Sequence, residues 1–143
     1  MVKSISTEIA KKRLATVWFV IGGILFLFML SLTLTGRFGT KLHDVWSWFL
    51  PIVFPSLTLM IGVFAVDALS SGVKPAKIDR YIFVLTFIMS IVYLLTILVV
   101  LIVSSINPEP IDIMTASNFG LGPFQGVVSA CIGIFFIQKD KGK

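Results

Sequence analysis

The chain has 143 residues, of which 57 % are hydrophobic and only 13 % are charged, with a formal net charge of +5 at pH 7. An ordinary soluble domain carries about 25 % charged residues, so these figures exclude a disordered tail, a coiled coil and an ordinary soluble enzyme. The single cysteine, Cys131, excludes a disulfide within the chain. Together with a mean hydropathy of +1.01, the composition indicates an integral membrane protein.

Four uncharged, apolar runs are each long enough to cross a bilayer as a helix. A hydrocarbon core about 30 Å thick needs about 20 residues, because a helix rises about 1.5 Å per residue. The runs are continuously apolar, whereas the strands of a membrane barrel alternate apolar and polar residues. We therefore predict an all-α membrane protein, a single four-helix transmembrane domain over residues 1–143 with no soluble domain. The predicted spans are 14–36, 45–66, 81–106 and 119–138.

The distribution of basic residues predicts the orientation of the spans. Ten of the twelve Lys and Arg residues lie in the N-terminal tail, the second loop and the C-terminal tail. The first loop carries only Arg37 and Lys41, and the third loop carries none. Cytoplasmic segments are enriched in Lys and Arg, so both termini are predicted to be cytoplasmic. The first run is longer than the apolar part of a cleavable signal peptide, which predicts a retained span.

Two prolines one turn apart interrupt the second span. Pro51 and Pro55 have no N–H, so the carbonyls of Ser47 and Pro51 lose their helical donors and the helix is expected to bend. One interpretation is a static kink whose freed backbone groups are satisfied by neighbouring helices. The alternative is a hinge or one wall of a pore.

Charged residues gather beyond the inner end of the second span. Asp67 ends that segment, and the following loop carries Lys74, Lys77 and Arg80. A carboxylate is unfavourable at a helix C-terminus, so Asp67 is expected to pair with a base. This cluster is also a candidate docking site for a cytoplasmic protein partner.

The third span has no glycine or proline, and polar side chains fall near one of its faces. The stripe contains Thr86, Ser90, Tyr93 and Ser104. We expect this stripe to face protein rather than lipid, with the serine and threonine hydroxyls bonded back to the preceding turn. A hydroxyl-lined water path is the alternative.

The segment before the fourth span leaves the start of that helix open. Residues 107–118 contain Pro108 and Pro110 and form an acidic outer loop, either a plain connector or a recognition surface. One possible start of the helix is Pro123, because proline is tolerated in a first turn. In the other arrangement Ser117 or Asn118 caps an earlier start, and Pro123 kinks the helix.

The fourth span carries a face of small residues. Gly122, Gly126, Ser129 and Gly133 recur at spacings of 4, 3 and 4, which places them on one side of a helix. Small residues let two helix backbones approach closely, and in lipid this approach drives association. The face either packs within the chain or joins subunits of an oligomer. Gln125 beside it is a candidate polar contact to a neighbouring helix or to interfacial water, or a pore-lining residue in a ring of subunits.

The four spans contain no Asp, Glu, Lys, Arg or His. Proton-coupled transporters usually carry an ionisable residue in the membrane, and enzymes need a base, a nucleophile or a metal site. We therefore predict no enzyme and no catalytic, cofactor or metal site. The favoured function is a non-enzymatic, oligomeric sensor or anchor in the lipid bilayer that works with a cytoplasmic partner and binds no nucleic acid directly. A pore-forming effector or small channel is the first alternative, and a small transporter is the second.

The size and topology of the chain resemble those of the membrane component of Kiwa, a two-gene bacterial anti-phage system. The resemblance covers residues 14–138 as an arrangement of spans, flanked by basic ends at Lys11–Arg13 and residues 139–143. It implies a subunit that oligomerises in the bacterial inner membrane and works with a cytoplasmic DNA-binding partner. It assigns no function to an individual residue.

Overall fold

The structure is a computed structural model that describes residues 4–69 and 77–137. Long helices dominate it, and short strands precede two of them. The elements in chain order are β1 (Ser4–Ser6), α1 (Thr7–Leu34), a 3-10 turn (Gly39–Lys41), α2 (Leu42–Leu69), β2 (Lys77–Asp79), α3 (Arg80–Ile106) and α4 (Pro110–Ile137).

Three of the helices, α1, α2 and α3, are long and apolar enough to cross a membrane. Helices α2 and α3 contain the predicted spans 45–66 and 81–106, whereas α1 covers the first span only to Leu34, two residues short of its predicted end. Their outer faces expose large apolar side chains: Leu27 is 61 % exposed, Ile88 52 % and Val99 58 %. Soluble monomers rarely expose apolar surface on this scale, so this surface is suited to lipid. Helix α4 is as long as the others and contains Asn118, Pro123, Gln125 and several glycines, and its described part is not among these three candidate spans.

Each helix begins before its predicted span, because hydropathy detects the segment that lies in hydrocarbon rather than the ends of the helix. Helix α1 begins at Thr7, so the basic residues Lys11–Arg13 are helical. Lys12 donates to Glu8 one turn earlier, at 2.6 Å, an i,i+4 pair that supports an exposed first turn.

Both predicted starts of the fourth helix, at Pro123 and after a cap at Ser117 or Asn118, are wrong. Helix α4 begins at Pro110, so residues 110–118 are helical rather than loop, and Pro123 lies inside the helix. Pro110 suits the first turn because the backbone N–H that it lacks would have no helical acceptor there. The chain reverses over residues 107–109, where the Asn107 side chain accepts a hydrogen bond from the Glu109 N–H at 3.1 Å. The predicted end at residue 138 lies outside the described residues.

The four helices form a ring in the order α1, α2, α4, α3, in which each helix packs against its two neighbours. Successive helices run in opposite directions, so α2 and α4 are parallel and begin at the same end of the bundle. The core is apolar and includes Trp18, Phe49, Leu94 and Leu101. Helix α4 contributes one stripe of large buried side chains, namely Met114, Leu121, Val128 and Ile132.

At the end predicted to be cytoplasmic, a short antiparallel strand pair joins the beginnings of α1 and α3. Ser4 of β1 lies opposite Asp79 of β2, and Ser6 lies opposite Lys77. Asp79 also caps α3, because its carboxylate accepts a hydrogen bond from the Tyr81 N–H at 2.9 Å. The N-terminal segment and the second loop therefore meet at one end of the bundle.

At the opposite end, Arg37 connects the α1–α2 turn to the end of α3. Gly36 (φ 69°) and Gly39 (φ 51°) adopt the left-handed conformation that reverses the chain here. The Arg37 guanidinium donates to the carbonyls of Ser105 and Asn107, the latter at 3.4 Å. A basic group is favourable at a helix C-terminus, where carbonyls lack helical donors.

We expect Arg37→Ala to lower the free energy of unfolding by about 1 kcal/mol, because it removes a charged donor from the last turn of α3. Hydrogen exchange should accelerate at the amides near Ile106 and remain unchanged in the middle of α3. Lys41→Ala is the control, since Lys41 is a basic residue at the same end whose side chain makes no hydrogen bond within residues 4–69 and 77–137. Equal acceleration in both variants would show that net charge, rather than the cap, is responsible.

Candidate functional site

The interrupted stretch of α2 is the centre of a polar contact site in the middle of the bundle. Pro51 and Pro55 both lie inside α2, so the carbonyls of Ser47 and Pro51 have no helical donor four residues later. An unsatisfied backbone group in hydrocarbon costs several kcal/mol. Donors from other helices are therefore needed here.

Helix α4 supplies one such donor, and helix α3 donates to the next carbonyl along α2. The Gln125 amide of α4 donates to the Pro51 carbonyl, with an Nε2–O distance of 2.8 Å. The Tyr93 hydroxyl of α3 donates to the adjacent Ile52 carbonyl at 3.2 Å. The bond from Gln125 fits the interpretation in which a neighbouring helix satisfies a carbonyl freed by the prolines. Gln125 thus makes the expected polar contact to a neighbouring helix.

Tyr93 connects α3 to all three other helices. Its side chain is completely buried, and besides the bond to α2 its ring packs on Trp18 of α1 and Phe124 of α4. The ring centroids are 6.1 Å apart for Trp18 and 5.5 Å apart for Phe124, which meets Tyr93 edge to face. Aromatic pairs of this geometry are worth about 0.5–1.5 kcal/mol beyond the area that they bury. Tyr93 is therefore the principal contact between the helices at this level.

The polar stripe of α3 faces the interior of the bundle. Thr86, Ser90, Tyr93 and Ser104 are all buried. Several core polar atoms have no hydrogen-bond partner among the described residues, namely the indole nitrogens of Trp18 and Trp48 and the hydroxyls of Ser56, Ser90 and Ser104. These hydroxyl, indole and amide groups are uncharged at neutral pH. Tyr93 and Gln125 thus bond between helices, whereas these five polar atoms of the described core are uncharged and unpaired.

The small-residue face of α4 is uncovered in the described part of the chain. Gly122 and Gly126 are exposed, and Ser129 and Gly133 are half-buried. A Cβ atom added at any of the three glycines would meet nothing within 4 Å. The close packing within the chain that the spacing allowed is therefore not formed by this face. Close approach occurs instead at Gly22 of α1, where an added Cβ would lie 3.5 Å from a Leu57 methyl group.

The predicted docking cluster is described only at one position. Arg80 is the first residue of α3 and is exposed. Lys74 lies outside the described residues, as do the side chains of Asp67 and Lys77. The described part of the chain therefore brings none of these four side chains together.

A cavity that sequence reasoning missed lies between the first turns of α2 and α4. Its volume is about 360 Å³. The sequence shows only that the polar side chains have helical spacing. The cavity forms because α2 and α4 are parallel neighbours that begin at the same end of the bundle, which the sequence does not show. The lining residues are Asp44, Ser47 and Trp48 of α2 and Ile111, Met114, Thr115 and Asn118 of α4.

Residues 4–69 and 77–137 contain no group of three or more His, Cys, Asp or Glu side chains close enough to hold a metal ion. No protein-family model, curated protein or solved structure matches the sequence. The functional argument therefore depends on the geometry of the bundle.

Proposed function

We propose that this chain is a multi-pass protein in which all four helices cross the bilayer with both termini cytoplasmic, and that it acts as an oligomeric sensor or anchor rather than as an enzyme. The uncovered glycine face of α4 is the observation that carries the proposal. The interior polar groups contribute by holding the helices in one arrangement.

The packing of α4 supports a fourth span. Helix α4 follows α3 after the short reversal at residues 107–109 and packs against both α3 and α2. A helix that runs back along a spanning helix for 28 residues occupies the same depth of the bilayer. With four spans, the strand pair and both termini lie on the side that carries most of the Lys and Arg residues, which is the cytoplasmic side.

The glycine face supports self-association, because apolar surface alone gives little drive for helices to associate in lipid. Backbones that approach closely along small residues gain van der Waals contact, and Gly122, Gly126 and Gly133 offer such a path on the outside of the bundle. A second copy presents the same path, so two copies of α4 can pack face to face. This symmetry makes a homo-oligomer the natural occupant of the face.

The test is the effect of Gly126→Ile on the number of subunits. The isoleucine side chain fills the path between two α4 helices, so we expect self-association in nanodiscs to weaken by about tenfold or more, as measured by single-molecule photobleaching. Gly23→Ile is the matched control, because an added Cβ at Gly23 of α1 also meets nothing within 4 Å. A monomeric wild type, or equal weakening by Gly23→Ile, would contradict the proposal.

The pore and transporter alternatives have less support. A pore lined by Gln125 requires its amide to face water, whereas the amide nitrogen is bonded to the Pro51 carbonyl. A transporter driven by protons usually requires a titrating group in the membrane, and none of the predicted spans contains one.

The resemblance to the membrane component of Kiwa extends the proposal to anti-phage defence in the bacterial inner membrane with a cytoplasmic protein partner. The basic cytoplasmic end is the surface for such a partner, and Lys12, Arg13 and Arg80 are described and exposed there. In this scheme the partner, rather than this chain, contacts DNA.

A further inference from the structure

The cavity between α2 and α4 combines an apolar floor with a polar rim. Trp48 is 8 % exposed and Met114 is fully buried, and they form the floor together with Ile111. Asp44, Ser47, Thr115 and Asn118 are exposed and form the rim. The volume of about 360 Å³ lies within the range of about 300–1,000 Å³ that is typical of small-molecule sites.

The two linings are facing stripes of parallel helices. On α2 the spacing of Asp44, Ser47 and Trp48 is i, i+3, i+4, and on α4 the stripe from Ile111 to Asn118 continues one turn further. The cavity is therefore built from the first turns of two packed helices. It lies at the end opposite the strand pair, where a ligand can enter from the outer side.

The rim is rich in acceptors and carries a negative charge. The Asp44 carboxylate is 64 % exposed, and its nearest charged or titratable neighbour is the His43 Nδ1 at 3.6 Å. Ser47, Thr115 and Asn118 add side-chain oxygens to the lining residues. The N-terminal ends of α2 and α4 favour anions because of the positive end of the helix dipole. The carboxylates of Asp44 and Asp112 in these first turns offset this preference.

We propose that this cavity binds a primary ammonium group carried on a short apolar chain. The ammonium donates to the Asp44 carboxylate and to neutral rim oxygens, and the chain lies on the floor formed by Trp48 and Met114. Indole is also the preferred aromatic neighbour of a cation. The proposal goes beyond the proposed function, because self-association through the glycine face of α4 requires no ligand.

The test uses n-hexylamine and the full-length protein in phosphatidylcholine nanodiscs, whose lipid carries no primary amine. Isothermal titration calorimetry, with empty nanodiscs as the blank, should show one saturable site per chain. Hexanol has the same chain without the charge, and its affinity should be lower by about tenfold or more. The proposal would be overturned if hexylamine showed no saturable binding, or if hexanol bound as tightly as hexylamine.

Two variants test which residues are responsible. Asp44→Asn keeps a side chain suited to the first turn of a helix and should weaken hexylamine binding by about tenfold. Thr115→Leu narrows the cavity without changing its charge and should also weaken binding. Asp112→Asn is the control, because Asp112 is an acidic residue in the first turn of α4 that does not line the cavity. If Asp44→Asn and Asp112→Asn weakened hexylamine binding equally, the effect would come from the net charge rather than from the cavity, and the assignment would be overturned.

A further arm of the experiment identifies the source of the amine. If nanodiscs that contain phosphatidylethanolamine lower the apparent affinity for hexylamine, the site takes the lipid headgroup. If the affinity is the same in both kinds of nanodisc, the site takes a free amine from outside the membrane. Both results support the shared chemistry of the site and differ only in the natural ligand.

Discussion

Tyr93→Ala should lower the free energy of unfolding by about 3–5 kcal/mol, the largest effect that we expect of a single substitution in this chain. The substitution removes a fully buried ring that packs on Trp18 and Phe124. It also removes the donor to the Ile52 carbonyl in the interrupted stretch of α2. Each of the other three helices loses one of its contacts with α3. The space left by the ring is enclosed by these helices, so it cannot readily collapse.

The measurement is reversible unfolding in bicelles, followed by the change in tryptophan fluorescence. Tyr93→Phe keeps the ring and removes only the hydroxyl, so its cost should be about 0.6–2 kcal/mol. The only other tyrosine in the chain is Tyr81, which is 71 % exposed, and Tyr81→Ala should leave stability nearly unchanged. A Tyr93→Ala variant as stable as Tyr81→Ala would contradict the central position of Tyr93.

The second large effect is a coupling between Gln125 and Pro55. We expect Gln125→Leu to cost about 0.6–2 kcal/mol, because it leaves the Pro51 carbonyl without a donor in hydrocarbon. Pro55→Ala restores an N–H four residues after Pro51, so the backbone can satisfy that carbonyl. In the Pro55→Ala background, Gln125→Leu should therefore cost much less.

The double-mutant cycle measures this dependence directly, since residues that share one partner have non-additive effects. Pro123→Ala in α4 is the control, because it restores an N–H within a different helix and should leave the cost of Gln125→Leu unchanged. Additive effects of Gln125→Leu and Pro55→Ala would mean that the amide does not substitute for the missing N–H.

The helices were largely predictable from the sequence, because a long uncharged run in lipid has to satisfy its own backbone. The prolines of α2 also indicated where a partner would be needed, and Gln125 supplies the donor for the Pro51 carbonyl. The beginning of α4 was not predictable in this way. Residues 110–118 begin with a proline and include Asp112 and Asn118, so they fall outside the uncharged apolar run, although a helix can continue into the headgroup region.

The packing faces were harder to predict than the helices. Helix α4 has one stripe with Leu121 and Val128 and another face with Gly122 and Gly126. Both are uncharged, so either of them could face lipid. Only the structure shows that the large side chains are buried and the small residues uncovered. The cavity was missed for a related reason, since sequence gives the order of helices along the chain but not which of them are neighbours.

The connections at the two ends join helices that do not follow one another in the chain. Helices α1 and α3 are joined at one end by β1 and β2 and at the other by Arg37. Helices α2 and α4 share the bond between Gln125 and Pro51, and α4 also packs extensively against α3. Sliding of α1 against α3 would therefore have to break contacts at both ends of the bundle.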